Sequence, residues 1–279
     1  MKGIIVAAGY GTRFLPVTKT LPKEMLPLLN KPSLAFIVEE FLASGIRDII
    51  VITSRRKRSI EDYLDREVEL EALFQAEGAL DKLAAIRPYD AHFSFVRQTE
   101  MRGTGHALLA AKPFLDGEPA VVAYPDDLHF GSPPLTAQLI AAWKKTGCCV
   151  MASLHNPPHL ERYGVLKLAS DGLHVEGLVE KPAPGQEPSR EASLGRYLYL
   201  PEFFDHLEEG WKNHTGREYF HVYALERMME QEKVVFHPAQ GERLDTGDLA
   251  GFFQATLRYA RQFPELVAIL KEEARNLGA

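Results

Sequence analysis

Cysteine is nearly absent from this chain: Cys148 and Cys149, adjacent in an apolar run, are its only two. Two neighbouring thiols cannot staple distant segments, so no disulfide framework is expected, and both read as small buried strand residues. Long apolar runs are missing as well. No stretch approaches the ~20 apolar residues of a membrane-spanning helix, and the opening run reads as a strand rather than a secretory leader. The expected compartment is the cytoplasm. Lysine and arginine form no long block, and the net charge is −6 with a pI near 6.0. Neither nucleic acid nor a membrane is therefore an expected partner. No internal repeat is visible.

What is present is a large apolar reserve, 46% of 279 residues, arranged in alternating strand-like and helical patterns. Apolar runs at 3–8, 49–52, 93–96, 120–123 and 148–154 read as strands. Helical patterns lie between them at 32–45, 104–114 and 133–146, the first opened by Pro32 and closed by Gly45. Residues 55–85, charged with leucines at helical spacing, read as an excursion of one or two helices. Alternation of this kind predicts an α/β fold, a Rossmann-like, mostly parallel central sheet flanked by helices. The second half changes character. Residues 163–168 and 173–179 flank a Ser-Asp-Gly turn and predict a hairpin. We therefore expect one domain over 1–279, with a small antiparallel lobe at roughly 155–240 and C-terminal helices over 248–276.

Ligands of such sheets bind beyond the carboxyl ends of the strands. At the end of the first strand stands Gly9-Tyr10-Gly11-Thr12-Arg13, followed by Lys19 and Lys23. Glycines let the backbone approach oxygen atoms closely, and Arg13 and Lys23 neutralise charge, which describes a phosphate cradle. It is not the dinucleotide fingerprint, since Phe14 occupies the third glycine position, and no P-loop spacing occurs. Glu24 repels phosphate and needs another explanation; a surface ion pair is the bland one. A second strand end carries Gln98, whose amide suits a base edge, followed by Gly103, a place where a planar ring can approach. His106 reads as a packing or hydrogen-bonding residue at a helix start. A third ends in Asp126-Asp127, vicinal acids that need a metal or cationic partner. Asp248 reads as a helix N-cap.

Taken together, GxGTRFLP with PKEMLP at the start, QxExxGxGHA over 98–107, and RYGV, VEKP and GRY over 162–165, 179–182 and 195–197 resemble the nucleotide-sugar pyrophosphorylases, and among them the bacterial uridylyltransferases. The resemblance covers nearly the whole chain. It implies a nucleotide site of Ala8, Gly9, Gly11, Thr12, Arg13, Lys23, Glu24, Gln98 and Gly103, with Glu24, Ala8 and Gly9 facing uracil. It implies Mg²⁺ held by Asp126 and Asp245, and sugar-phosphate contacts from Gly164, Glu180 and Lys181. Arg13, Lys23, Asp126 and Lys181 would carry the chemistry. The partners implied are UTP and a sugar 1-phosphate, in a homo-oligomer (dimer or tetramer).

Two departures stand out. Pro125 replaces the usual glycine before the acids, and residues 216–223 lack the family's GEIQLTD-like segment beside the sugar pocket. The reaction implied forms UDP-glucose and pyrophosphate from UTP and glucose 1-phosphate. The same chemistry with dTTP or another sugar phosphate, and a non-catalytic nucleotide-sugar-binding regulator, are the alternatives.

Overall fold

The opening apolar run forms β1 (Lys2–Val6), the middle of a parallel group in this computed structural model, which describes residues 1–278. Three short 3-10 turns (Thr12–Phe14, Val17–Lys19, Lys23–Met25) and a small hairpin, β2 (Pro27–Leu28) with β3 (Lys31–Pro32), lead into α1 (Ser33–Ala43). β4 (Asp48–Thr53) follows. The charged excursion contains three helices rather than one or two: α2 (Arg58–Leu64), α3 (Val68–Glu77) and α4 (Leu80–Ala85). Gly78, at φ 67°, ends α3 in a left-handed turn that leucine spacing alone does not announce.

β5 (His92–Arg97), α5 (Thr104–Ala111), β6 (Ala120–Ala123), β7 (Asp127–Phe130), α6 (Leu135–Thr146) and β8 (Cys149–His155) complete the first half. The second half holds β9 (Gly164–Leu168), β10 (Val175–Glu180), β11 (Glu191–Tyr199), α7 (Pro201–Lys212), α8 (Val222–Glu230), β12 (Val234–Pro238) and β13 (Glu242–Asp245). It closes with α9 (Leu249–Ala260) and α10 (Pro264–Leu277).

β5, β4, β1 and β6 run parallel in that order. Beyond β6 the sheet is mixed, because β11 enters antiparallel between β6 and β8, and β12 then pairs parallel with β8. β9 and β10 form the predicted antiparallel hairpin, joined to the sheet through Ala192 of β11 against Val165. Successive strand residues segregate to opposite faces, as the pleat requires. Ile5, Val51, Val121 and Val150 pack under α1, α2, α6 and α9. Ile4, Ile50, Val122 and Met151 pack under α5, α7 and α8. Both faces are covered, so every strand end opens only along its edge, and the loops after β1, β5 and β6 meet there.

Candidate active site

Gly11 shows why the first loop needs glycine. Its φ is 68°, and a Cβ there would lie 3.2 Å from the Lys23 Cβ. Its carbonyl accepts from the Thr18 hydroxyl at 2.8 Å, which pins the loop. Thr12 opens the first 3-10 turn, and Arg13 reaches across the site to the Gly247 carbonyl at 3.4 Å. Ala8 is buried, whereas Gly9 faces open space.

Lys23 and Asp126, 103 positions apart, are brought together: Nζ donates to Oδ2 at 2.5 Å. Burial alone would raise the Asp126 carboxyl, but Lys23 and then Arg13 hold it below the ordinary carboxylate range. Asp126 is presented by a tight turn in which the Asp127 N–H donates to the Tyr124 carbonyl at 3.0 Å. Pro125 sits at the second turn position, where its fixed φ is suitable. The Asp126 carbonyl accepts from Thr246 N at 2.7 Å, tying the turn to the strand end that carries Asp245.

Asp127 serves another purpose. Its carboxylate accepts from Arg243 Nε at 2.8 Å and from Gly195 N at 2.8 Å. Arg243 also donates to Asp245 Oδ2 at 3.2 Å, so one guanidinium ties β7 to β13 and spans both acids. Asp245 Oδ1 accepts from Gly247 N at 2.9 Å. Gly247 marks where these groups converge. A Cβ at this position would lie 3.0 Å from Asp245 Oδ1, and 3.5 Å from both Asp126 Oδ2 and Arg13 Nη1. Two carboxylates from separate strand ends are the kind of donor set a hard divalent cation takes when phosphate and water supply its other ligands, although here Lys23 already occupies Asp126 Oδ2. Among the described residues no group of three acidic, histidine or cysteine side chains forms a closed metal cage.

Glu24 is not a surface ion-pair partner. Its carboxylate is 1% exposed, and both oxygens accept from Lys57 Nζ at 2.7 Å. Burial pushes the Glu24 carboxyl up and the Lys57 ammonium down, and the paired charges oppose both shifts. Lys57 was not singled out by the sequence, since it lies within Arg55-Arg56-Lys57-Arg58, a run that reads as solvated. Gln98, buried, donates its amide to the Gly103 carbonyl at 3.1 Å and lies 3.3 Å from His106 Nδ1. His106 therefore hydrogen-bonds and packs, as expected, and rests against Trp211. The close approach at Gly103 is to protein rather than to an open face for a planar ring: at φ 93°, its Cβ would meet the Tyr219 carbonyl oxygen at 2.5 Å. The departing segment 216–223 thus docks on this loop, with Gly105 N donating to Tyr219 O at 2.9 Å and His221 Nδ1 lying 2.9 Å from Thr104 Oγ1.

On the hairpin, Gly164 and Glu180 are direct cross-strand partners. A Cβ on Gly164 would sit 3.0 Å from Glu180 Oε2. Lys181, the next residue, adopts φ 48°, a left-handed backbone unusual for lysine, and its N–H donates to the Tyr163 carbonyl at 3.0 Å. Its ammonium and the Glu180 carboxylate are about two-thirds exposed and only 4.0 Å apart. Arg196 of the GRY element takes no part in a sugar pocket. It is 1% exposed and grips Glu40 of α1 through two bonds, at 3.1 and 2.9 Å. Asp248 caps α9 by accepting from Gly251 N at 2.9 Å.

The family model described as nucleotidyl transferase matches residues 2–262. A UTP–glucose-1-phosphate uridylyltransferase of Staphylococcus epidermidis is 40% identical over 99% of this chain and 98% of its own length. The enzyme of the same name from Streptococcus pneumoniae serotype 4 is 42% identical, over 99% and 96%. Among solved structures, a UTP-bound UGPase from Acinetobacter baumannii superposes with a TM-score of 0.89 at 30% identity, covering 99% of each chain. A UDP-glucose pyrophosphorylase complexed with UDP-glucose gives 0.80 at 33% identity, over 94% and 98%. With the family model matching residues 2–262 and relatives 40–42% identical over nearly the full length of both chains, the chain belongs to the nucleotidyl transferase family.

Proposed function

We propose that this protein forms UDP-glucose and pyrophosphate from UTP and glucose 1-phosphate. The observation that carries the reading is the convergence of Arg13, Lys23, Asp126 and Asp245 at one strand edge, although their positions range from 13 to 245 in the sequence, in a chain that matches uridylyltransferases end to end. A phosphate monoester is ionised at neutral pH, so the sugar phosphate needs no base to become a nucleophile. Its oxygen attacks the α-phosphorus of UTP in line with departing pyrophosphate. Arg13 and Lys23 neutralise the charge that gathers on the phosphate oxygens. Gln98, with its amide nitrogen already engaged by Gly103, offers its carbonyl oxygen to a ring N–H. Glu180 accepts from sugar hydroxyls across from Gly164, where no side chain intrudes, and Lys181 pairs with the sugar phosphate. Asp126 and Asp245 would hold Mg²⁺, which polarises the α-phosphate and shields the triphosphate.

Glu24 contributes through Lys57, as a buried strut under the loop that carries Lys23, rather than through an exposed carboxylate facing the base. The protein works in the cytoplasm as a homo-oligomer, a dimer or tetramer. Exposed Leu249, Phe253 and Ile269 on the C-terminal helices support self-association. Among the described residues no helix is long and apolar enough to cross a membrane. The test is pyrophosphate release over a panel of UTP and dTTP against glucose 1-phosphate and N-acetylhexosamine phosphates. UTP with glucose 1-phosphate is expected to be the best pair. A different best sugar would point to residues 216–223, whose Tyr219 and His221 pack against the Gly103–Gly105 loop.

A further inference from the structure

Three carboxylates meet at the strand edge, Asp126, Asp127 and Asp245, and three cations face them: Lys23, Arg13 and Arg243. Each pairing has a definite geometry. Lys23 Nζ sits on Asp126 Oδ2, the same oxygen that borders the space beside Gly247, and Arg243 holds Asp127 and Asp245. The neighbouring Glu24–Lys57 pair is neutral in sum. The cluster is therefore charge-balanced without any metal. A bare divalent cation arriving there finds no net negative potential, and the oxygen it needs is already capped by an ammonium. Of the two cations bonded to these carboxylates, Lys23 and Arg243, Lys23 is the better placed to leave. It is partly exposed, at 21%, on a flexible four-carbon stem, whereas Arg243 is fixed by several bonds.

We propose that Lys23 closes the divalent-cation seat on Asp126 in the nucleotide-free protein, and that a triphosphate opens it by drawing the ammonium onto its own oxygens. This rests on the two-carboxylate seat proposed above. Lys23 then has two partners in sequence, Asp126 before the nucleotide arrives and phosphate afterwards. The exchange makes cation binding conditional on the nucleotide: the triphosphate supplies the negative charge that the balanced cluster lacks, and frees Asp126 in the same movement. No bond is made or broken in it.

The experiment measures Mn²⁺ binding by the fall in the free-ion paramagnetic resonance signal, with thermal unfolding as the check on folding. Without nucleotide, wild-type protein and the Lys19→Met control are expected to bind Mn²⁺ weakly. Lys23→Met, with one positive charge removed and Asp126 uncapped, should bind at least about tenfold more tightly, and Lys23→Met/Asp126→Asn should lose that gain. Lys23→Gln serves if the methionine variant does not fold. Nucleotide-free wild type that binds Mn²⁺ as tightly as the Lys23 variants would overturn the proposal, as would Lys23 variants that gain nothing while wild type with UTP binds Mn²⁺ in an Asp126-dependent way. If UTP brings no Asp126-dependent Mn²⁺ binding to wild type, the seat itself is wrong, a separate failure.

Discussion

The two halves of the site are built differently. On the nucleotide side nearly every charged group already has a partner: Lys23 with Asp126, Lys57 with Glu24, Arg243 with Asp127 and Asp245. Gln98 and Gly103 are held by hydrogen bonds and by Tyr219 behind them. On the sugar side Glu180 and Lys181 stand about two-thirds exposed at the end of a hairpin and touch little besides each other. Rigid preorganisation suits the half that must hold a triphosphate and lower a barrier electrostatically, since dipoles fixed in advance do not have to reorganise during reaction. An open hairpin suits the half that admits a second substrate. Buried pairs thus hold the nucleotide side in place apart from the Lys23–Asp126 exchange, and the exposed, loosely paired charges of the sugar side are left for binding to complete.

The largest effect is expected where the comparison is sharpest. Asp126→Asn or Asp245→Asn should lower turnover by about a hundredfold or more while the protein stays folded, and chelation should abolish activity reversibly; initial pyrophosphate-release rates check both. Next is Lys57→Met, which strands Glu24 in the core and should cost about 3–5 kcal/mol of stability in urea unfolding. Adding Glu24→Gln should restore much of the loss. On the open side the same kind of change should leave stability within about 0.5 kcal/mol. There Lys181→Ala should raise KM for every sugar 1-phosphate, and Glu180→Gln should harm glucose 1-phosphate more than analogues lacking the contacted hydroxyl. Stability losses of equal size on both sides would erase the distinction drawn above.

The smallest effect concerns pH. Burial pushes His221 down to about 4 from an ordinary 6.5. Its folded form thus resists a proton that the unfolded chain accepts, and stability falls as pH drops through that window and is fully present above it. Urea unfolding at pH 7.5 and 5 should differ by about 1–2 kcal/mol from this group, a difference that His221→Phe should remove.

Much of this was legible locally. The Pro32 and Gly45 boundaries, the Ser170-Asp171-Gly172 hairpin turn and the Asp248 cap are each written in a few adjacent residues, and each forms as expected. Motif resemblance located the residues that the structure gathers around Gly247 and across the hairpin. What stayed hidden was pairing over distance. Nothing near 191–199 says that β11 runs antiparallel between β6 and β8. Lys57 looks like one cation of four, and only the fold shows that it alone turns inward to Glu24. Likewise Arg196 reads as part of a sugar motif until the fold lays it against Glu40, 156 positions away.

Hydrogen exchange of the protein alone and with UDP-glucose tests the contrast between the halves most directly. Amides of residues 163–181 should gain protection on binding well beyond those of 98–106, which the Gln98 and Tyr219 contacts already hold in the free protein. A larger gain at 98–106 than at 163–181 would contradict the account.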